Sequence, residues 1–261
     1  MIMLTTLVAA LALAQPSPGN VETAAMPLPY HTKGGTVMEG WLAEPVGRGK
    51  GLSPAVLIVH DWNGIDEHEQ DRARMFARHG YVALAVDIYG KGIRPKTVEA
   101  CAAESGKYYK DPALWHERLQ AGLDALKKLK GVDPKRIGAV GYCFGGAAVL
   151  EMARMNMDVK IVSSFHGSLA GPSKATKKPK ARILEWHGLA DPFVPKAQIE
   201  AFQAEMKAVK ANFRSQGFEN VGHSFAVKGS EKMGMKGVGY DQTADQLSWS
   251  ETLSEFKKAL R

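Results

Sequence analysis

Short apolar runs alternate along this chain with longer stretches in which apolar residues recur every three or four positions. The runs at 55–59 and 81–86 are continuously apolar, as expected of strands buried on both faces of a sheet. Runs at 137–140, 159–165, 183–186 and 212–218 predict further strands, and partial alternation over 36–42 predicts one near the start. Helical patterns lie between them. Asp66 and Glu69 form a capping-box-like pair ahead of an apolar face at Phe76 and Ala77, closed by Gly80. Trp115, Leu119, Leu123 and Leu126 recur at helical spacing behind Asp111 and Pro112. Lys127, Lys128 and Lys130 follow, where the negative end of a helix favours cations. Helices are also expected after Gly141, over 195–209, and through Ala244, Leu247, Leu253, Phe256 and Leu260. Residues 15–30 read as a linker and the stretch before Asp111 as irregular. Strands alternating with helices at this rhythm predict the α/β class: a mostly parallel sheet with helices on both faces, in one domain over 31–261.

The run at 137–140 ends in Gly141, Tyr142, Cys143, Phe144, Gly145 and Gly146, after which an apolar helical run begins. Strand, sharp turn and helix with a nucleophile at the turn is the layout of a nucleophile elbow, here with cysteine in place of the usual serine. Flanking glycines permit the tight turn and close strand–helix approach. The helix N-terminus offers positive potential and free N–H groups, an environment expected to lower the thiol pKa of Cys143.

Ligands of such sheets bind beyond the carboxyl ends of the strands. Asp191 follows the run at 183–186 and His223 follows that at 212–218. Nucleophile, Asp and His in that chain order, each in a loop after its own strand, is the arrangement of the α/β-hydrolase fold. The chemistry needs these types: His223 would take and return a proton, and Asp191 would hold its tautomer and steady its charge. Phe144 and Trp62 are expected to supply the backbone N–H groups of an oxyanion hole.

These motifs resemble the dienelactone hydrolase family of α/β-hydrolases. The likeness rests on residues 141–146, on Gly188 to Pro195, on Gly222 to Phe225, on the loop His60 to Gly64 and on Asp87 to Tyr89, and spans about residues 30–260. It implies a Cys-His-Asp triad of Cys143, His223 and Asp191 that cleaves an ester or lactone through an acyl-enzyme, with no metal or organic cofactor. The family's type enzyme has a glutamate that hydrogen-bonds the resting thiol, where this chain has the shorter Asp61. It also has a carboxylate-binding arginine four residues after the histidine, where this chain has Val227. The resemblance therefore carries the hydrolytic chemistry over, and Asp61 as thiol partner, but not the carboxylate clamp. Tyr89, His166 and Phe225 are candidates for the pocket wall. A thioesterase, a broad carboxylesterase, or a non-catalytic or thiol redox-sensing member of the fold are the alternatives, because fold alone does not fix function.

The 261 residues carry a net charge of +7, but Lys and Arg are spread along the chain and no nucleic-acid motif accompanies them. The expected partner is a small-molecule ester or lactone, with no nucleic acid and no membrane, acting on a monomer. His60, His166 and His187 follow strands without the spacing of metal ligands, so no metal is expected. Residues 1–14 read as a signal peptide: an apolar stretch too short to span a bilayer, ending in Ala12, Leu13 and Ala14. Export to the periplasm or beyond is expected, or a cytoplasmic location if that segment is not processed. Cys101 and Cys143, the two cysteines, are read as free.

Overall fold

The computed structural model describes residues 21–49 and 51–261; the signal-peptide assignment falls outside the described residues. Eight strands form one sheet in the order β1-β2-β4-β3-β5-β6-β7-β8. They are β1 (Thr23–His31), β2 (Val37–Pro45), β3 (Ser53–Val59), β4 (Val82–Val86), β5 (Val132–Tyr142), β6 (Ile161–Phe165), β7 (Arg182–Gly188) and β8 (Phe213–Phe218). The pairings of β1 with β2 and of β2 with β4 are antiparallel, and those from β4 through β8 are parallel.

Alternation explains the continuous apolar runs. In β3, Ala55, Leu57 and Val59 enter one core layer, while Val56 and Ile58 enter the other. The first layer packs under α2 (Val98–Lys110), α3 (Pro112–Lys128), α4 (Phe144–Arg154) and α5 (Lys196–Ala208). The second packs under α1 (Glu67–Arg78) and α6 (Gln242–Ala259), with Phe76, Trp249 and Phe256 at its centre. Asp66 caps α1 in a complete capping box with Glu69, as the pattern predicts.

Two expectations are corrected. Residues 23–30, read as linker, belong to the edge strand β1. Its Pro27 and Pro29 obscured the pattern, yet an edge strand tolerates residues that cannot donate to a ladder. Tyr30 anchors β1, its hydroxyl donating to Asp87 O at 2.9 Å and accepting from Asp87 N at 3.0 Å. The stretch before Asp111, read as irregular, contains the helix α2. Thr97 caps it, but its buried residues Cys101, Ser105 and Tyr108 make a face too mixed to read as apolar.

The strand order positions the site. From β3 the chain steps to β4 on one side, and from β5 it proceeds through β6, β7 and β8 on the other. The loops after β3 and β5 therefore diverge at a topological switch point, where parallel sheets place their ligands. Here the elbow is packed backbone on backbone. A Cβ on Gly145 would collide with the carbonyls of Val59 and His60, and one on Gly141 with the Gly145 carbonyl. Gly145→Ala is expected to cost about 3 kcal/mol and to lower Tm by about 10 °C. Gly106→Ala, inside α2 with nothing within 4 Å of the new methyl, should instead leave Tm unchanged or raise it slightly. Thermal denaturation of the two variants beside wild type checks the contrast.

Candidate active site

Cys143 is the residue of the turn itself, at φ 48° and ψ −108°. A non-glycine residue holds such a backbone only where its surroundings over-determine it. Its N–H donates to Phe165 O at 3.0 Å and to His166 Nδ1 at 3.1 Å. The Phe144 N–H opens α4 next to the sulfur and favours its charged form. Across the cavity, Asp191 in the loop after β7 accepts from His223 Nδ1 at 2.7 Å through Oδ2, and from Phe193 N at 2.7 Å through Oδ1. The proton of a neutral His223 therefore sits on Nδ1, leaving Nε2 as the basic atom. The His223 backbone is clamped to the segment around Val238: its N–H donates to Gly237 O at 2.8 Å and its carbonyl accepts from Gly239 N at 3.0 Å. Arg72 of α1 fixes the chain just beyond, donating to Ala226 O at 2.8 Å while paired with Asp245.

Asp61 follows β3 and faces the elbow. Its carboxyl group lies beside the Cys143 thiol, in the same cavity lining. Its Oδ1 accepts from the neighbouring Trp62 N–H at 2.6 Å. The loop is held from behind: Glu69 Oε1 accepts from Asp61 N at 3.2 Å, and the Tyr89 hydroxyl donates to Trp62 O at 2.8 Å. His60, fully buried, donates from Nδ1 to Asp61 O at 2.6 Å and accepts at Nε2 from Ile88 N at 3.2 Å. Burial lowers its pKa to about 4, so it serves as a neutral brace.

Burial also pushes the Cys143 thiol well above its ordinary range, and the Asp61 charge adds to this, while the Phe144 N–H pulls the other way. The expected depression of the thiol pKa is thus reversed. One N–H and a helix end are outweighed by desolvation and a carboxylate alongside. Asp61 is itself raised, first by burial. The shift at Cys143 favours the protonated thiol over the thiolate. Of the two amides expected to hold an oxyanion, Trp62 N–H is engaged by Asp61, and Phe144 N–H faces the sulfur.

Asp61, Trp62, Cys143, Phe144 and His223 line one cavity of about 220 Å³, with Asp191 behind His223. Tyr89, His166 and Phe225, expected on the wall, are buried outside the lining. Each is occupied by structural packing: Tyr89 holds Trp62, and His166 lies between the Cys143 amide and the rings of His223 and Phe225, both centred 5.2 Å away. The actual wall includes Ser105 and Tyr109 of α2, Phe193 and Val194, and Met233, Met235 and Val238. Met233 ends a single 3₁₀ turn (Ser230–Met233) and Met235 follows it in a glycine-punctuated stretch with no readable period, while Ser105 and Tyr109 lie in the unforeseen helix. Phe193 and Val194, and Ser224 beside His223, stood in the motifs of the sequence. His187 is paired with Glu185 at 2.9 Å, away from the cavity. Among the described residues no group of three or more His, Cys, Asp or Glu could hold a metal ion, and no helix is long and apolar enough to cross a membrane. Neither cysteine is in a disulfide.

A family model for the dienelactone hydrolase family matches residues 38–260. An uncharacterised protein of Caenorhabditis elegans is 37% identical over 147 residues, which are 54% of this chain and 92% of that protein. A putative carboxymethylenebutenolidase of Synechocystis is 28% identical over 205 residues, 71% of this chain and 80% of that one. The crystal structure of a dienelactone hydrolase-like promiscuous phosphotriesterase from metagenomic libraries superposes with a TM-score of 0.84 at 30% identity, covering 92% of this chain and 99% of that one.

The environment of the sulfur gives a direct test. In a Cys101→Ser background, alkylation of Cys143 by iodoacetamide should follow an apparent pKa above that of a free thiol. Asp61→Asn removes the adjacent negative charge and should move the profile to lower pH. An unmoved profile would mean that the Asp61 charge does not act on the thiol.

Proposed function

The chain belongs to the dienelactone hydrolase family and is an ester- or lactone-cleaving hydrolase, and from that premise we propose that it works by acyl transfer to Cys143. In this reading His223 is the general base and acid, and Asp191 orients its imidazole and stabilises the imidazolium. The observation that supports it best is the 2.7 Å Asp191–His223 hydrogen bond, beside a cavity that His223 shares with the Cys143 sulfur.

In the proposed cycle the thiol proton passes to His223 Nε2, and the sulfur attacks the carbonyl carbon of a small-molecule substrate. The carbonyl electron pair moves to oxygen, which the Phe144 and Trp62 N–H groups receive once Asp61 releases the latter. Collapse expels the alkoxide, which takes the proton from His223 and leaves a thioester on Cys143. Water, deprotonated by His223, then attacks the thioester carbonyl, releasing the acid and restoring the thiol. No metal or organic cofactor enters the cycle. A monomer without nucleic-acid partners, exported after cleavage behind Ala14, completes the proposal; the apolar 3–13 segment and its Ala12-x-Ala14 ending support export.

Hydrolysis of a short-chain p-nitrophenyl ester by reduced wild type should fall by about a thousandfold or more in Cys143→Ala, and by about a hundredfold or more in Asp191→Asn. Cys143→Ser should retain weak activity at best, since the site is arranged around a thiol. Equal rates in wild type and Cys143→Ala would overturn the assignment. Expressed in a Gram-negative host and recovered from its periplasm, the protein should begin at Gln15 by mass spectrometry. A periplasmic protein that keeps Met1 would refute the cleavage.

A further inference from the structure

The walls of the cavity select among esters. Apart from the reacting centre, its surface comes mainly from Tyr109, Phe193, Val194, Met233, Met235 and Val238. Phe193 and Met233 are 48% and 40% exposed, so the apolar surface continues outward to the rim. Among the described residues no Lys or Arg lines the cavity, and the carboxyl group that does, Asp61, lies beside the sulfur at which a substrate carbonyl would arrive. An anionic substituent would give up water to enter, meet no cation and approach a like charge.

Lys232 and Lys236 adjoin Met233 and Met235 in the chain but are exposed and outside the lining. Lys96 and Lys228 line a neighbouring cleft of about 330 Å³ on the other side of Asp61 and Trp62, where they share the walls with Asp66 and Glu69. Val227 faces that same cleft, with no charge to offer. The volume sets the scale as well: an apolar cavity of about 150 Å³ holds benzene, so this one accommodates an aryl ring or a short branched chain.

We infer that the substrates of this site are uncharged esters or lactones with apolar, aryl-sized or short branched groups beside the carbonyl, and that carboxylate-bearing esters and lactones are poor substrates. The inference rests on the hydrolase reading above and narrows it.

Two aryl acetates of equal size, 4-acetoxybenzamide and 4-acetoxybenzoate, differ in charge at one position and test it with the reduced, full-length protein. Turnover of 4-nitrophenyl acetate that depends on Cys143 first establishes the hydrolase reading independently. On that footing kcat/KM for the amide should exceed that for the carboxylate by at least about tenfold. Met235→Lys, which sets a cation in the wall, should shrink this ratio to within about threefold. Equal or better turnover of the carboxylate by wild type would overturn the substrate inference and leave the hydrolase reading standing. A wild-type preference that Met235→Lys leaves unchanged would overturn the charge argument. Failure on 4-nitrophenyl acetate as well would remove the hydrolase reading and this inference together.

Discussion

Between the end of β3 and the first turn of α4 the backbone comes into direct contact: the carbonyls of Val59 and His60 lie where a side chain on Gly145 would begin. Nearly everything at the site depends on that approach. It lets α4 start immediately beyond β5, which forces Cys143 into a left-handed turn and presents its sulfur beyond the sheet edge. It also brings the loop after β3, with Asp61 and Trp62, into the same cavity lining as Cys143. The neighbours that hold this geometry are mostly not reactive groups. His60, Glu69 and Tyr89 fix the Asp61–Trp62 loop, while Asp191, Gly237 and Gly239 fix His223.

The sequence made the frame legible because buried parallel strands leave continuous apolar runs, and their C-terminal ends mark where chemistry can sit. Cys143, Asp191 and His223 could be placed from strand ends and chain order alone. The parts that escaped did so for physical reasons. In β1, Pro27 and Pro29 broke the pattern of a strand, though an edge position makes them harmless. In α2 the inward face mixes Cys101, Ser105 and Tyr108, so no apolar stripe announced the helix that brings Ser105 and Tyr109 to the cavity. The loop carrying Met233 and Met235 has no period to read. Tyr89, His166 and Phe225 were correctly placed near the site but on the wrong side of its wall, because burial depth is a property of packing rather than of strand ends.

The electrostatics of the sulfur were the least legible feature. A helix N-terminus is visible as a motif, but the desolvation of a neighbouring carboxyl is not. Two acidic groups, each pushed toward its protonated form by burial, lie side by side at the heart of the site. The same carboxyl group occupies the Trp62 amide. One side chain thereby favours the neutral thiol and engages the Trp62 amide, and in the proposed cycle a substrate that displaces it would free both groups at once.

That arrangement also bears on how long the protein survives between substrates. Peroxides and other oxidants attack the thiolate form of cysteine, the first rung of a ladder that ends in irreversible sulfonic acid. A sulfur held protonated beside Asp61, inside a wall of Tyr109, Phe193 and methionine side chains, offers little of that form to solvent. Met233 stands 40% exposed at the rim, while the sulfur lies deeper in the cavity lining. The resting geometry therefore doubles as chemical storage: the thiol is preserved by being withheld.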